Sequence, residues 1–189
     1  FRQFNVGDIY YNADPSSGVL KYVGYGSGTW ASGGNLNTAR GNLAGGAVGT
    51  QTAGLAFGGN TGSVVDNTEK YDGSAWTESG DLNTARVDLA GLGTQTAAMG
   101  AGGEGPPELA NVETFDGSSW TETTDVPTVT RVASGAGTTT ASLVFGGAQS
   151  APGAVITTTY EYDGSSWTTG GALNTGRRYH GAGGTQTAA

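Results

Sequence analysis

Cysteine is absent from this 189-residue chain, histidine and methionine occur once each, and lysine and arginine together number only eight. Each shortage excludes something. Without cysteine there is no disulfide and no thiolate metal site, and the single His180 cannot by itself make an ordinary transition-metal centre. Eight basic residues against sixteen acidic ones provide no surface that would neutralise phosphates, so nucleic acid is not an expected partner. No apolar run approaches the ~18–20 residues of a membrane-spanning helix, and no membrane insertion is expected. Leu, Ile, Val and Phe make up only about 16 % of the chain, a level that signals disorder when net charge is high. A net charge of −8 is too small for that reading. The chain opens on Phe1 without a signal-peptide pattern, so it is expected to be part of a longer or processed polypeptide.

Glycine is in excess, at 36 residues, and it recurs with a period. The four tryptophans, Trp30, Trp76, Trp120 and Trp167, are 46, 44 and 47 residues apart. Arg40, Arg86, Arg131 and Arg177 follow with spacings of 46, 45 and 46. Glycine pairs stand at 58–59, 102–103 and 146–147. Tyr71-Asp72-Gly73-Ser74-Ala75-Trp76 returns as Phe115-Asp116-Gly117-Ser118-Ser119-Trp120 and as Tyr162-Asp163-Gly164-Ser165-Ser166-Trp167. Leu-Asn-Thr-Ala-Arg occupies 36–40 and 82–86 and, with Gly176, 173–177; the copy at 126–131 has an extra residue and Pro127. Gly-Thr-Gln-Thr occurs at 49–52, 93–96 and 184–187 and becomes Gly-Thr-Thr-Thr at 137–140. The unit is about 44–47 residues long and occurs about three and a third times.

Within a unit the signals are those of strands. Asp-Gly between short Thr-, Tyr- and Trp-rich runs marks a hairpin turn, because Gly accepts positive φ and Asp tolerates it. No segment sustains apolar spacing at 3.6 residues, so helices are not expected. One copy reads as strand a at 87–93, b at 97–102, c at 111–116 and d at 119–123, with the Leu-Asn-Thr-Ala-Arg segment crossing to the next unit. The expected fold class is all-β, and four-stranded units of this length suit the blades of a β-propeller. Strand a is rich in Gly and Ala, as crowding around an axis demands.

The register of motifs resembles the kelch family. Gly58-Gly59, Tyr71, Trp76, Leu82 and Arg86 follow its order, as do Gly102-Gly103, Phe115, Trp120, Val126 and Arg131, and Gly146-Gly147, Tyr162, Trp167, Leu173 and Arg177. The resemblance covers about residues 30–189 and implies a kelch-like propeller or part of one. Residues 1–29 read as a β lead-in supplying outer strands, at 20–22 and 29–31. At the other end, residues 179–183 read as a further strand a. The repeated wording is also similar to the repeat arrays of tail-fibre and other virion proteins of marine phages. That second resemblance implies a virion location, other virion proteins as partners, and a host cell-surface glycan or protein as target.

The recurring polar residues have structural readings beside functional ones. Asp72, Asp116 and Asp163 fit turns better than calcium, because carboxylates on separate units cannot converge on one ion. Glu69 and Glu113, replaced by Tyr160 in the third copy, read as strand surface or as partners of the arginines. Arg40, Arg86, Arg131 and Arg177 read as ties for the crossing segment, and the tryptophans as packing between units. Copper-oxidase chemistry of the kelch type is not carried over, since Cys and a second His are missing. No catalytic residue, metal or cofactor is expected. The b–c loops, at 60–67, 104–111 and 148–157, differ in every copy while the opposite turns stay nearly constant. Variable loops on a constant scaffold are how binding surfaces are built. The candidate binding positions are Asn60, Thr61, Asp66, Glu104, Pro106, Pro107, Glu108, Gln149, Pro152 and Ile156.

The functional expectation is a non-enzymatic module of a phage tail fibre or receptor-binding appendage. The alternatives are a capsid-surface fibre or decoration, a bacterial cell-surface or secreted adhesion propeller, and a sugar-cleaving propeller enzyme. Unpaired strand edges at an open end favour association, so a homo-oligomer is expected.

Overall fold

The structure is a computed structural model and describes residues 9–11, 20–22, 32–44, 48–149 and 154–189. The chain divides into two units, Phe1–Ser32 and Gly33–Ala189. In the first, β1 (Ile9–Tyr11) pairs antiparallel with β2 (Leu20–Tyr22), Ile9 standing opposite Tyr22. Residues 20–22 therefore form a strand, but the partner is Ile9–Tyr11, both runs being rich in strand-forming side chains. The expected strand at 29–31, with Trp30, lies outside the described residues.

The second unit is all-β, with no helix among the described residues. Sheet I comprises β3 (Gly49–Thr50), β4 (Ala53–Phe57), β5 (Thr68–Tyr71) and β6 (Trp76–Glu78). Sheet II comprises β7 (Ala90–Thr94), β8 (Ala97–Ala101), β9 (Val112–Phe115) and β10 (Trp120–Thr123). Sheet III begins with β11 (Ser134–Thr138) and β12 (Ala141–Phe145). A small hairpin, β13 (Ala148–Gln149) and β14 (Ala154–Val155), precedes its last strands, β15 (Thr159–Tyr162) and β16 (Trp167–Thr169). Each sheet is an antiparallel meander in chain order. The a strands adjoin, with β7 against both β3 and β11.

Strand a begins three residues later than the sequence suggests, and the reason is a backbone feature. Val87 bridges Glu104 and Ala90 pairs with Ala101, so the register is unbroken, yet between them Asp88 has φ 56° and faces Gly102 and Gly103 at φ 63° and 109°. Both chains turn left-handed together, and their amides aim sideways. Asp88 N donates to Asn42 O (3.0 Å) and Gly103 N to Thr130 O (2.8 Å), linking sheet II to both neighbours. The glycine pair is required here, because a Cβ on Gly102 would stand 2.3 Å from Thr130 O.

The hydrophobic interior lies between sheets. Leu55 and Phe57 of sheet I meet Ala98, Phe115 and Trp120 of sheet II, with Leu82 and Leu89. On the other side of sheet II, Leu92, Met99, Ala101 and Val112 meet Val144 and Tyr162 of sheet III. Aromatic and aliphatic bulk is thus concentrated at two seams, and the Gly- and Ala-rich a strands explain the low aliphatic content.

Residues 179–183, read from sequence as a further strand a, form no strand. The segment nevertheless runs along β11. Tyr179 N donates to Val132 O (3.2 Å), Ser134 Oγ to His180 O, and Gly137 N to Gly184 O (3.2 Å). The sideways links of an a strand are present, whereas a ladder would need a paired b strand; after the segment a single bridge joins Thr185 to Ala188.

Candidate functional site

The crossing segment explains the first set of recurring charges. Glu113 of β9 has no exposed side-chain surface, and it accepts from Asn83 N (2.8 Å), Thr84 N (3.3 Å) and Asn83 Nδ2 (2.9 Å). Arg86 Nη2 completes the set at 2.9 Å, while Arg86 Nη1 donates to Asn111 O at 2.7 Å. Burial draws the Arg86 guanidinium below its usual range, an effect opposed by Glu113. Every residue type in Leu-Asn-Thr-Ala-Arg except Ala has a role: Leu82 enters the seam, Asn83 also holds Trp120 O (3.1 Å), and Thr84 and Arg86 enclose the carboxylate. The first copy repeats this, with Glu69 accepting from Asn37 N (2.7 Å) and from Arg40, both side chains again without exposed surface. Of the two sequence readings for Glu69 and Glu113, partnership with arginine is the observed one.

The third copy departs from the pattern. Tyr160 replaces the glutamate and donates to Thr128 Oγ1 at 3.1 Å. With no carboxylate to enclose, Arg131 turns outward to Glu104 (2.8 Å) and Glu108 (3.0 Å) on the b–c loop of sheet II. This bracket is partly exposed, Glu104 keeping 43 % of its side-chain surface. Arg177 is exposed and donates to Thr175 O at 3.3 Å.

The b–c loops share a frame and differ at their tips. Asn60 bridges Val64, Glu104 bridges Glu108, and β13 pairs with β14 at the same place in the third copy. Asn60 and Thr61 are exposed, and Asn60 Oδ1 accepts from Gly62 N at 2.6 Å. Asp66 is half-buried, its carbonyl accepting from Leu82 N (3.0 Å). Pro106 and Pro107 are exposed between the two glutamates held by Arg131. Gln149 and Ile156 are half-buried, and Pro152 lies outside the described residues. The structure thus places Asn60, Thr61, Pro106 and Pro107 outward and gives Glu104 and Glu108 an internal partner.

On the turn side, Asp116 Oδ1 accepts from Ser118 N, Ser119 N and Ser118 Oγ, each at 2.8 Å. Asp72 and Asp163 make the same set. These bonds, led by the amide of the residue before Trp, hold Asp72 and Asp116 at about 2 and push Asp163 further down. The carboxylates close turns. Among the described residues, no group of three or more His, Asp and Glu side chains is placed to hold a metal ion.

Trp120 fills the seam between sheets I and II, 4.6 Å from the Phe57 ring centre, its Nε1 donating to Thr68 Oγ1 (2.9 Å). Trp167 is half-buried and reaches back to Thr124 O (2.8 Å), and Trp76 to Gly34 O (3.1 Å). His180 rests 5.5 Å from the Phe145 ring centre beside a depression of about 260 Å³ lined by Leu43, Leu89 and Ala133. Burial, then the neighbouring Arg177, lowers the pKa of its imidazole below the usual histidine value.

Two features escaped the sequence reading. Asn42, Asp88, Val132 and Tyr179 all have φ between 52° and 56° and form a hydrogen-bonded arc: Asp88 N to Asn42 O, Val132 N to Asp88 O (2.7 Å) and Tyr179 N to Val132 O. Asn42 and Asp88 are of the short polar type that tolerates this region, but Val132 and Tyr179 are not, so backbone geometry is what reveals the full set. The second is glutamine. Gln95 Nε2 reaches back to sheet I, bridging Gly54 O (3.0 Å) and Tyr71 O (2.6 Å). Gln186 does the same on sheet III with Ser142 O and Tyr162 O. Its recurrence in Gly-Thr-Gln-Thr was the available signal.

No protein-family model and no curated protein matches this sequence.

Proposed function

We propose that the chain is a non-enzymatic binding and structural module, built as a kelch-like β-propeller or an arc of one, and carried on a phage virion appendage. A tail fibre or receptor-binding appendage is the first assignment, with a capsid-surface fibre next to it. The b–c loops meet the target, a host cell-surface glycan or protein, and many copies on one particle multiply weak contacts. The observation that carries the reading is the contrast between frame and tip. Three sheets share one register and one set of turns, while the loop tips differ and turn Asn60, Thr61, Pro106 and Pro107 outward. The sheets meet at their a strands, as blades do around an axis. Glu69, Glu113 and the turn aspartates are all engaged in holding this frame, which suits a scaffold.

Two measurements test it. Mass spectrometry of purified source particles should find peptides of this chain; their absence overturns the virion assignment. Replacing residues 104–108 with a short Gly-Ser turn should lower host-cell binding about tenfold or more through lost multivalency. The melting temperature should fall only slightly. Binding unchanged in that variant would overturn the loop-face reading.

A further inference from the structure

The crossing segment is a clamp for a carboxylate, and one copy of it is empty. In the second copy Glu113 is held by Asn83 N, Asn83 Nδ2, Thr84 N and Arg86. In the first, Glu69 is held by Asn37 N, Thr38 N (3.4 Å) and Arg40. Both glutamates stand on the strand two residues before an aromatic, Tyr71 or Phe115. The third copy has Tyr160 instead, and its crossing has lost a means of holding a carboxylate: Pro127, which has no N–H, takes the place of Asn83. Donors and carboxylate are thus kept or lost together.

The last crossing, Leu173-Asn174-Thr175-Gly176-Arg177, keeps the donors. It bends at Asn174 and Thr175, as the others bend at Asn37-Thr38 and Asn83-Thr84. Its ends are anchored alike, Leu173 N donating to Thr157 O (2.8 Å) and Gly147 N to Arg177 O (2.7 Å). The second copy has Leu82 N to Asp66 O (3.0 Å) and Gly59 N to Arg86 O (2.9 Å). Yet among the described residues none of Asn174 N, Asn174 Nδ2 and Thr175 N has an acceptor, and Arg177 meets no carboxylate. Asn174, Thr175 and Arg177 are all exposed. On the same side Leu143, Phe145 and Leu173 are half-buried and line a depression of about 230 Å³. In the filled seam the matching Leu55, Phe57 and Leu82 cluster with Phe115.

We infer that this crossing is a docking site for a β-strand of a partner polypeptide that carries a glutamate two residues before an aromatic. The glutamate supplies the carboxylate that the amides and Arg177 match, in charge-assisted hydrogen bonds, and the aromatic covers Leu143 and Phe145. This chain has no such strand to spare. Glu69 and Glu113 are engaged, and Leu20-Lys21-Tyr22 and Tyr160-Glu161-Tyr162 have Leu and Tyr in the glutamate's place. The inference does not depend on the loop-face reading.

The test is an amide NMR titration of the full chain with a synthetic peptide of residues 108–124, which carries Glu113 and Phe115, and with the same peptide bearing Glu113→Gln. The first should saturate with shifts at Asn174 and Thr175. The second should bind about tenfold or more weakly, the loss expected when a charged acceptor becomes neutral. In the chain, Arg177→Gln should weaken the first peptide to the same extent with the melting temperature unchanged, because Arg177 is exposed. Arg178→Gln removes the same charge one residue on, where the guanidinium rests over Tyr179, and should change binding by less than about twofold. Absence of shifts at Asn174 and Thr175, equal binding of the two peptides, or equal losses from Arg177→Gln and Arg178→Gln would each overturn the proposal. So would the same shifts on concentrating the chain alone, which would make a second copy the occupant.

Discussion

Arginine does two jobs in this molecule, and the environment decides which. Arg86 and Arg40 lie buried against Glu113 and Glu69 with amides completing each carboxylate's shell. Removing one partner leaves the other charge buried, so Arg86→Ala is expected to cost about 3–5 kcal/mol. Arg131 holds Glu104 and Glu108 in partial exposure, where solvent screens the pair, and Arg131→Ala should cost less than about 1 kcal/mol. Urea melts of both variants check the contrast, and equal losses would contradict it. The turn aspartates make part of the stability depend on acid pH. Their folded-state pKa values are depressed from 3.8 to about 2 at Asp72 and Asp116. Their contribution is therefore complete above the unfolded value and is lost as pH falls from about 4 through about 2. Melting temperatures should accordingly hold level down to about pH 4.5 and then drop. Asp116→Asn, which keeps an acceptor but cannot titrate, should soften the drop.

The working elements are the seam, the paired glycines and the crossing. Trp120 retains only 6 % exposure and packs on sheet I through both Phe57 and Thr68. Trp120→Ala is expected to cost about 3–5 kcal/mol by opening a cavity there. Trp167 is half-buried, so Trp167→Ala should cost roughly 1–3 kcal/mol, in line with its smaller buried area. Chemical denaturation measures both, and a greater loss for Trp167 would reverse the assignment of the main seam. The strands, turns and crossing were legible at this scale because each rests on a local rule repeated several times. The ladders found, at 90–94, 97–101, 112–115 and 120–123, fall within two or three residues of the expected ones. What differed was the start of strand a, where a left-handed residue interrupts the ladder at Asp88. The outward swing of Arg131 was equally hidden, because it follows from the replacement of a carboxylate by Tyr160 in a neighbouring strand.

For the second unit as a whole, stability is shared between neighbours, as in other repeat arrays. Among the described residues, sheet II contributes to both hydrophobic seams, whereas sheets I and III contribute to one each. Hydrogen exchange should therefore be slowest in β8 and β9, and faster in β6 and β16. Protection highest in sheet III would show that the seams do not govern the order. The arc of left-handed residues ties the a strands through backbone hydrogen bonds, to which Asn42 Nδ2 adds a side-chain bond to Asp88 Oδ1 at 2.9 Å.

Sequence by itself determined the period, the all-β class, the turn aspartates and the constancy of the frame, since these depend on local conformational rules copied from unit to unit. Tertiary structure alone decided the meaning of the exceptions. Tyr160 for glutamate frees Arg131 to bracket a loop, and Thr139 for glutamine leaves a groove open. The physical reason is common to both: each side chain acts across a seam, on a partner far away in sequence. A departure from the repeat is visible in the chain, but what it leaves unfilled is visible only where two sheets meet.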